Sequence, residues 1–573
     1  MLHSVGQLYR STRSVPKRQL YRRLQLNIRR WWMPKVGRHL VGSSRPAAVR
    51  LASVLPASLF APREHLVRRT LDGPCLSHLG TELPLTPPVD WLCRSRPGTR
   101  HLDRLALHYH EFLESVTFEE GWALVEDWIH QNPPWQPGYW LDSWNSYAIS
   151  IRCVCWFQWW EKHRSRLSPE QQEQLRDSLI DQLIFLESNL ETDICGNHLI
   201  KNIRCLLWGA AFFDGSESKR WKSLARGLLD KELRRQWLSD GMHYELSPAY
   251  HCQVLADLLE CAAVMDDHER AVLLAAMEPM LQAMRVVTHP DGKISLFSDG
   301  GLSMAYSPRE IEEVAAKIAR GSHPASTPST RSFRELPAAG YFQWQSDRQW
   351  LLIDCGPVCE DSLPAHGHAD MLALEWDVDG QRILVDNGVY EYQSGENRRF
   401  DRSVASHNTL QVDSLDQAEF IGSFRTGWRY RAKCESVWNR EGTFELVGSH
   451  DAFASALRNL RYQRRFFASP DRLVIEDVLR SHDRKATFGA EDIGVTATAR
   501  FLFHDGCHLE RSTDSSIRIR RGSTRIEMRS SVPLRVVSAH WSPDFGIRVA
   551  TRRVEATWTV APGSVSFEFV LEP

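Results

Sequence analysis

The sequence predicts a multidomain chain of α-then-β class, an N-terminal incomplete α/α toroid followed by a C-terminal antiparallel β-sandwich. Three observations carry the prediction. Between residues 100 and 320, apolar residues recur at helical spacing in one segment after another. From Gly340 onward the pattern changes to short alternating strands separated by Gly, Asp and Pro turns. Between the two lies Gly321 to Arg334, rich in Ser, Pro and Thr and suited to a linker. The 573 residues exceed one compact core, so two or three domains are expected, and 42% hydrophobic content is ample to fill them. The boundaries are drawn at 1–99 for a basic arm with lead-in helices, 100–322 for the toroid and 335–573 for the sandwich.

The arm comes first. No Asp or Glu occurs from Met1 to Arg63, while ten Lys and Arg residues accumulate between Arg10 and Arg38. Such a segment suits an anionic membrane surface or an acidic glycan, or else docks on the main body as a solvated arm. It has no continuous apolar stretch of the signal-peptide kind, and no run in the chain is long enough to span a bilayer. Twelve cysteines are scattered without paired spacing, which favours reduced thiols. A cytoplasmic location, or one peripheral to the inner membrane, is therefore expected. The formal net charge of -1 gives no case for nucleic acid as a partner.

The helical segments follow in order: Phe118 to Gln131, Trp144 to His163, Pro169 to Leu186, His198 to Phe213, Ser218 to Gln236, Pro248 to Met265 and Glu269 to Val287. Ser168-Pro169-Glu170 and Ser247-Pro248 have the polar cap and first-turn proline of helix starts. Helix pairs of this length suit a toroid whose helix ends form a cleft. In the β half, Met371 to Asp386 reads as a hairpin turning at Asp379-Gly380. Pairing residue 378 with 381 brings Asp386 to the edge occupied by His368.

The chemistry-bearing motifs lie at the edges of these elements. Gly196-Asn197-His198 opens a helix, with Asn202 one turn after His198. Ser247-Pro248-Ala249-Tyr250-His251 puts Tyr250 in a first turn, and Phe297-Ser298-Asp299-Gly300-Gly301 is a polar turn before the linker. His366-Gly367-His368-Ala369-Asp370, Asp386 and His407-Asn408-Thr409 can gather His368, Asp386 and His407 around one zinc-like ion. Taken singly, each residue has a plainer structural reading as a cap, a half-buried aromatic or a loop histidine. Trp144, Tyr147 and Arg152 on an early toroid helix are candidates for sugar subsites, and Arg398, Arg399 and Arg402 for acidic groups.

Together these motifs resemble the heparinase II/III-like family of polysaccharide lyases, which includes related alginate lyases. The resemblance runs from about residue 100 onward and is weakest in the basic arm. It implies an α/α toroid, a β-sandwich and an active cleft between them. It further implies Asn197 holding a uronate carboxyl group, Tyr250 as catalytic tyrosine, and His198 and His366 facing the scissile sugar. Asn202 and His251 stand beside them as substrate contacts, and His368, Asp386 and His407 match the ligands of a structural zinc. Where heparinase II-type sequences carry an acidic residue one turn after His198, this chain has Lys201, which leaves the polymer open. A periplasmic location is the alternative that the family suggests.

The residue types suit β-elimination on a 4-linked uronate. A base removes the C5 proton, the C4 oxygen leaves, and amide, imidazole or guanidinium groups stabilise the enolate-like charge. The expected function is lysis of an acidic, uronic-acid-containing polysaccharide to an unsaturated product. A toroid glycoside hydrolase would need two cleft carboxylates, with Glu245, Asp240 and Asp299 the candidates. The remaining alternative is a glycan-binding scaffold that has lost turnover.

Overall fold

The structure is a computed structural model that describes residues 2–37, 49–319, 332–454, 460–481, 494–560 and 563–572. Up to residue 331, the linker expected at 321–334 lies outside the described residues. Helices α1 (Leu2–Thr12) and α2 (Lys17–Val36) form the arm. After a three-stranded antiparallel meander over residues 67–84 come α3 (His101–Leu107), α4 (Phe118–Gln131), α5 (Ser146–His163), α6 (Pro169–Ser188) and α7 (Gly196–Phe212). The helical half closes with α8 (Ser216–Arg235), α9 (Pro248–Ala263), α10 (Asp267–Val286) and α11 (Pro308–Ile318).

Local chemistry sets the helix starts. Ser168 and Gln171 exchange side-chain and backbone hydrogen bonds in a capping box, with Pro169 in the first turn of α6. Ser247 Oγ accepts from Tyr250 N at 3.2 Å, and Pro248 needs no partner for the N–H it lacks. Helices α5, α7 and α9 are buried on almost every side and pack on one another, so they form the centre of the helical half.

The β half holds antiparallel sheets of five, four and eight strands among the described residues. The eight-stranded sheet backs both smaller ones: Trp376 meets Phe569 at 5.4 Å, and Phe501 meets Phe567 at 5.0 Å. The five-stranded sheet is buried on both faces. Along Gln349–Asp354, Leu351 and Ile353 enter the sandwich core, while Trp350 and Leu352 join Met242, Ala283 and Phe297 of the helical half. Its Asp379-Gly380 turn pairs Val378 with Gln381 as expected, but a bulge between Arg382 and Leu384 then shifts the register by one.

Charge reinforces this contact. His289, just beyond α10, bonds Asp377 at 2.9 Å and Glu375 at 2.6 Å, both on the strand Leu374–Val378. Asp240 accepts the Ala338 and Ala339 amides, and Tyr341 donates to the Leu246 carbonyl. The two halves are therefore packed face to face, and the loops near this seam carry the functional motifs.

Candidate active-site cleft and metal centre

Helix α7 delivers Asn197 and His198, and α9 delivers Tyr250, all within the first turn. The chain enters α7 through Cys195 and Gly196, both at positive φ. A Cβ on Gly196 would fall 1.9 Å from Glu245 Oε1 and 2.8 Å from Leu363, so only glycine lets the two halves approach here. Opposite stands the loop carrying His366. Its ring lies 4.1 Å from that of Tyr250, and Tyr250 Oη is 3.2 Å from Tyr392 Oη. His198 stacks near Tyr147 at 4.4 Å. Asn197, His198, Tyr250 and His366 thus share one cleft.

Three carboxylates from the helical half orient these groups. Glu191 takes His198 Nδ1 at 3.0 Å. Burial lowers the His198 pKa, but Glu191, with Glu245 and Asp193, more than offsets it, so the group is raised above its ordinary value and inclined to the imidazolium. Glu245 accepts Asn197 Nδ2 at 2.9 Å and the Asn197 backbone N–H at 2.8 Å, with His366 Nε2 3.5 Å away. Burial alone would raise Glu245, yet His366, His243 and Asn197 hold it below its usual range, so it stays charged. Asp299 is the hub: it bonds His366 Nδ1 at 2.9 Å, His368 Nε2 at 2.8 Å and Arg398 Nη2 at 2.8 Å. His366 is thus held through Nδ1 by Asp299, with Nε2 on the Glu245 side. Burial of Tyr250 near Tyr392 and Asp299 raises its phenol well above the usual value, so it rests protonated.

The second histidine of the motif begins a metal-ligand set. His368 Nδ1 and His407 Nε2 are buried without hydrogen-bond partners. Together with the Asp370 carboxylate they lie within 4.8 Å of one another. Asp299 bonds His368 Nε2, and Asp386 bonds His407 Nδ1 at 2.7 Å, so the other nitrogen of each ring is the one left facing inward. Burial lowers the His368 pKa to about 3, which keeps the ring neutral. Two imidazoles and a carboxylate fit a zinc-like ion. Asp386, the expected third ligand, bonds His407 from behind; the carboxylate grouped with the two histidines is that of Asp370. Gly367, between the two histidines, passes so close to Val358 that a Cβ would lie 1.9 Å from its carbonyl oxygen.

Several expected substrate contacts do not hold. Trp144 is buried, donates to the Asn132 carbonyl and packs on Phe185. Arg152 lies over Trp128 and bonds Gln182 and the His108 carbonyl in the core. Asn202 is fully buried, tied to Glu191 and Ser150, and positions the Glu191 carboxylate. His251 is spent on the His243 amide and the Met280 carbonyl. Arg402 is buried against the Gly367 carbonyl and Thr426, where it braces the histidine loop. Arg152, Asn202 and His251 sit on helices buried nearly all round, where spacing alone does not separate a cleft-facing side chain from a core one. Tyr147, by contrast, remains beside His198. Lys201 is buried on Asp257, at 3.0 Å from both carboxylate oxygens. Sequence reasoning missed the orienting roles of Glu191, Glu245 and Asp299, and it missed Tyr392; these depend on contacts that no local pattern encodes.

Comparison with known proteins agrees with this geometry. Residues 99–318 match the family model described as Heparinase II/III N-terminus, and residues 328–568 match Heparinase II/III-like, C-terminal. A heparin-sulfate lyase of Bacteroides stercoris is 22% identical over 308 residues, covering 49% of this chain and 43% of the relative. One from Bacteroides thetaiotaomicron is 24% identical over 391 residues, covering 61% and 53%. The chain thus spans about half the length of the curated relatives it matches. Among solved structures, a heparinase III aligns with a TM-score of 0.69 at 16% identity, covering 85% of this chain and 79% of that one. The heparan sulfate lyase of Pedobacter heparinus aligns at 0.56, also at 16% identity, covering 86% and 79%. These likenesses establish a shared toroid-plus-sandwich fold.

Proposed function

The chain belongs to the heparinase II/III-like family, and on that premise we propose that it is a polysaccharide lyase cleaving an acidic, uronic-acid-containing glycan by β-elimination. The observation that carries this is the approach of Tyr250, from a toroid helix start, to within 4.1 Å of His366 from the sandwich. An acid and a base on opposite walls are what elimination across C4 and C5 requires, with no hydrolytic water to place. His366 Nε2 takes the C5 proton, and Asp299 and Glu245 stabilise the imidazolium that results. The Tyr250 phenol gives its proton to the departing C4 oxygen. The imidazolium of His198 and the amide of Asn197 face the uronate carboxyl group as charge moves onto it. Glu245 and Asp299 are committed to histidines and an amide, so the two-carboxylate hydrolase reading loses its acid and base.

The polymer follows from the cations. Arg398 is bonded to Asp299, Arg402 to backbone carbonyls, Lys201 to Asp257 and Arg204 to Asp257 and Glu260. With these groups turned inward, the site favours uronate polymers without sulfate over heavily sulfated ones. The heparin-sulfate lyase relatives support the acidic-glycan class. His368, Asp370 and His407 would hold a zinc ion, with Asp386 behind; when bound, the ion supplies a fixed positive charge that ties the histidine loop to the sheet edge.

The test is ultraviolet absorbance of the unsaturated product over a panel of uronate polymers. Tyr250→Phe is expected to lose about 10²–10⁴-fold in kcat, the scale of a positioned proton donor, with its melting temperature kept. New reducing ends without that absorbance would overturn elimination. Full activity in Tyr250→Phe would remove the assigned donor. Zinc is tested by metal analysis of the purified protein and by the fall in melting temperature on chelation.

A further inference from the structure

Helix α2 has two apolar faces, and only one of them is used. Its inward line, Gln19, Leu26 and Met33, is buried against the body. Gln19 reaches Cys195 Sγ at 3.3 Å, Arg22 bonds the Ser188 and Leu190 carbonyls, and Arg23 pairs with Asp193. On the opposite side Leu20, Tyr21, Leu24, Ile28, Trp31 and Trp32 are 38% to 67% exposed. At 100° per residue these six fall within one arc of roughly 120°, centred opposite Leu26. A stripe of that kind is not left to water without a partner.

Charge says which partner. The 20 residues of α2 include seven Lys and Arg and no Asp or Glu. Lys17 and Lys35 stand at the two ends of the stripe, Arg18 and Arg23 flank it, and the Lys35 ammonium lies 3.5 Å from the centre of the Trp31 ring. Leu, Ile and paired Trp bordered by cations match a bilayer interface, where apolar side chains enter the acyl boundary and cations meet anionic headgroups. A soluble acidic glycan would use the cations and leave the stripe exposed. No helix among the described residues is long and apolar enough to cross a membrane, so the geometry is that of a helix lying on the surface.

We propose that the outward face of α2 docks on an anionic lipid bilayer, with Leu24, Ile28, Trp31 and Trp32 inserted and Lys17, Arg18 and Lys35 on the headgroups. The arm is firmly seated on both halves. Arg10 of α1 pairs with Glu419, Arg13 lies over Trp428 and Ser14 bonds the Asp361 carbonyl, all in the β half. Docking therefore fixes the whole molecule, and α2 grips the turn that begins α7. The segment lies outside both matched family regions, 99–318 and 328–568, and the inference is independent of the cleft chemistry.

The experiment is co-sedimentation of the full chain with phosphatidylcholine vesicles, with and without phosphatidylglycerol. Binding to the anionic vesicles is expected to exceed that to neutral ones by at least ten-fold and to fall with added salt, each cation near the surface contributing roughly five-fold. The exposed-site variant Leu24→Ser/Ile28→Ser/Trp31→Ser should lose at least ten-fold while keeping its melting temperature and its activity on soluble polymer. A separate variant, Lys17→Gln/Arg18→Gln/Lys35→Gln, should lose the preference for anionic lipid. Absence of wild-type binding, or equal binding by the serine variant, overturns the proposal. So does a wild-type dimer that the serine variant makes monomeric without any vesicle binding, or retention on a soluble polyanion alone.

Discussion

The two walls of the cleft are built differently. On the toroid wall Asn197, His198 and Tyr250 occupy first turns of helices whose starts are set locally, by Gly196 and by the Ser247-Pro248 cap. On the sandwich wall His366, His368 and Asp370 lie on a segment without regular secondary structure. Their orientation comes from across the cleft, where Asp299 of the helical half bonds each histidine and Ser298 N bonds Asp370. Asn197 and His198 of the first wall are oriented from within the helical half, by Glu245 and Glu191; the second wall is shaped against the first. Docking of the two halves is therefore part of making the site.

The sharpest way to break this contrast is Asp299→Asn. It frees the orientation of His366 and His368 and leaves the buried Arg398 without its carboxylate, so activity should fall by at least about 100-fold together with metal retention. If activity dropped while metal content and the melting temperature stayed unchanged, the sandwich wall would hold itself. Next in size, His289→Gln removes a buried ion partner from the seam and should cost about 3 kcal/mol, read by denaturant unfolding. This effect depends on pH. Burial lowers the His289 pKa, but Asp377 and Glu375 raise it above the ordinary value overall. The stabilisation is complete below the unfolded value of about 6.5 and is lost as pH rises through the higher folded value. The gap between wild type and variant should close on the alkaline side; a constant gap would remove the charge argument. The smallest effect belongs to the toroid wall. Glu191→Gln should raise KM about ten-fold, the scale of one lost orienting carboxylate. It should also move the alkaline fall in activity to lower pH, because Glu191 is the largest of the charges that raise His198. An unmoved pH profile would mean that His198 acts uncharged.

Sequence legibility follows the same division. The starts of α6 and α9 were readable because caps and prolines act within four residues, and the turn at Asp379-Gly380 because its dipeptide selects it. The motif histidines were readable from their types and spacing. Glu191 lies close to His198 in the chain, but it carries no signature apart from that contact. Glu245 and Asp299 find their partners 48 and 67 residues away, a distance over which no local pattern speaks. Three of the misplaced residues share one cause. Helices α5, α7 and α9 are buried nearly all round, so polar side chains such as Arg152, Asn202 and His251 give no sign of whether they face the cleft or the core.

Gly367 has a consequence for engineering. With no room for a side chain beside Val358, the backbone cannot slip, and His366 and His368, two positions apart, are welded in a fixed pose. A protein engineer seeking new sugar selectivity would find this loop unforgiving to randomisation. Diversity is better introduced on the far bank, around Tyr147, whose ring lies 4.4 Å from that of His198.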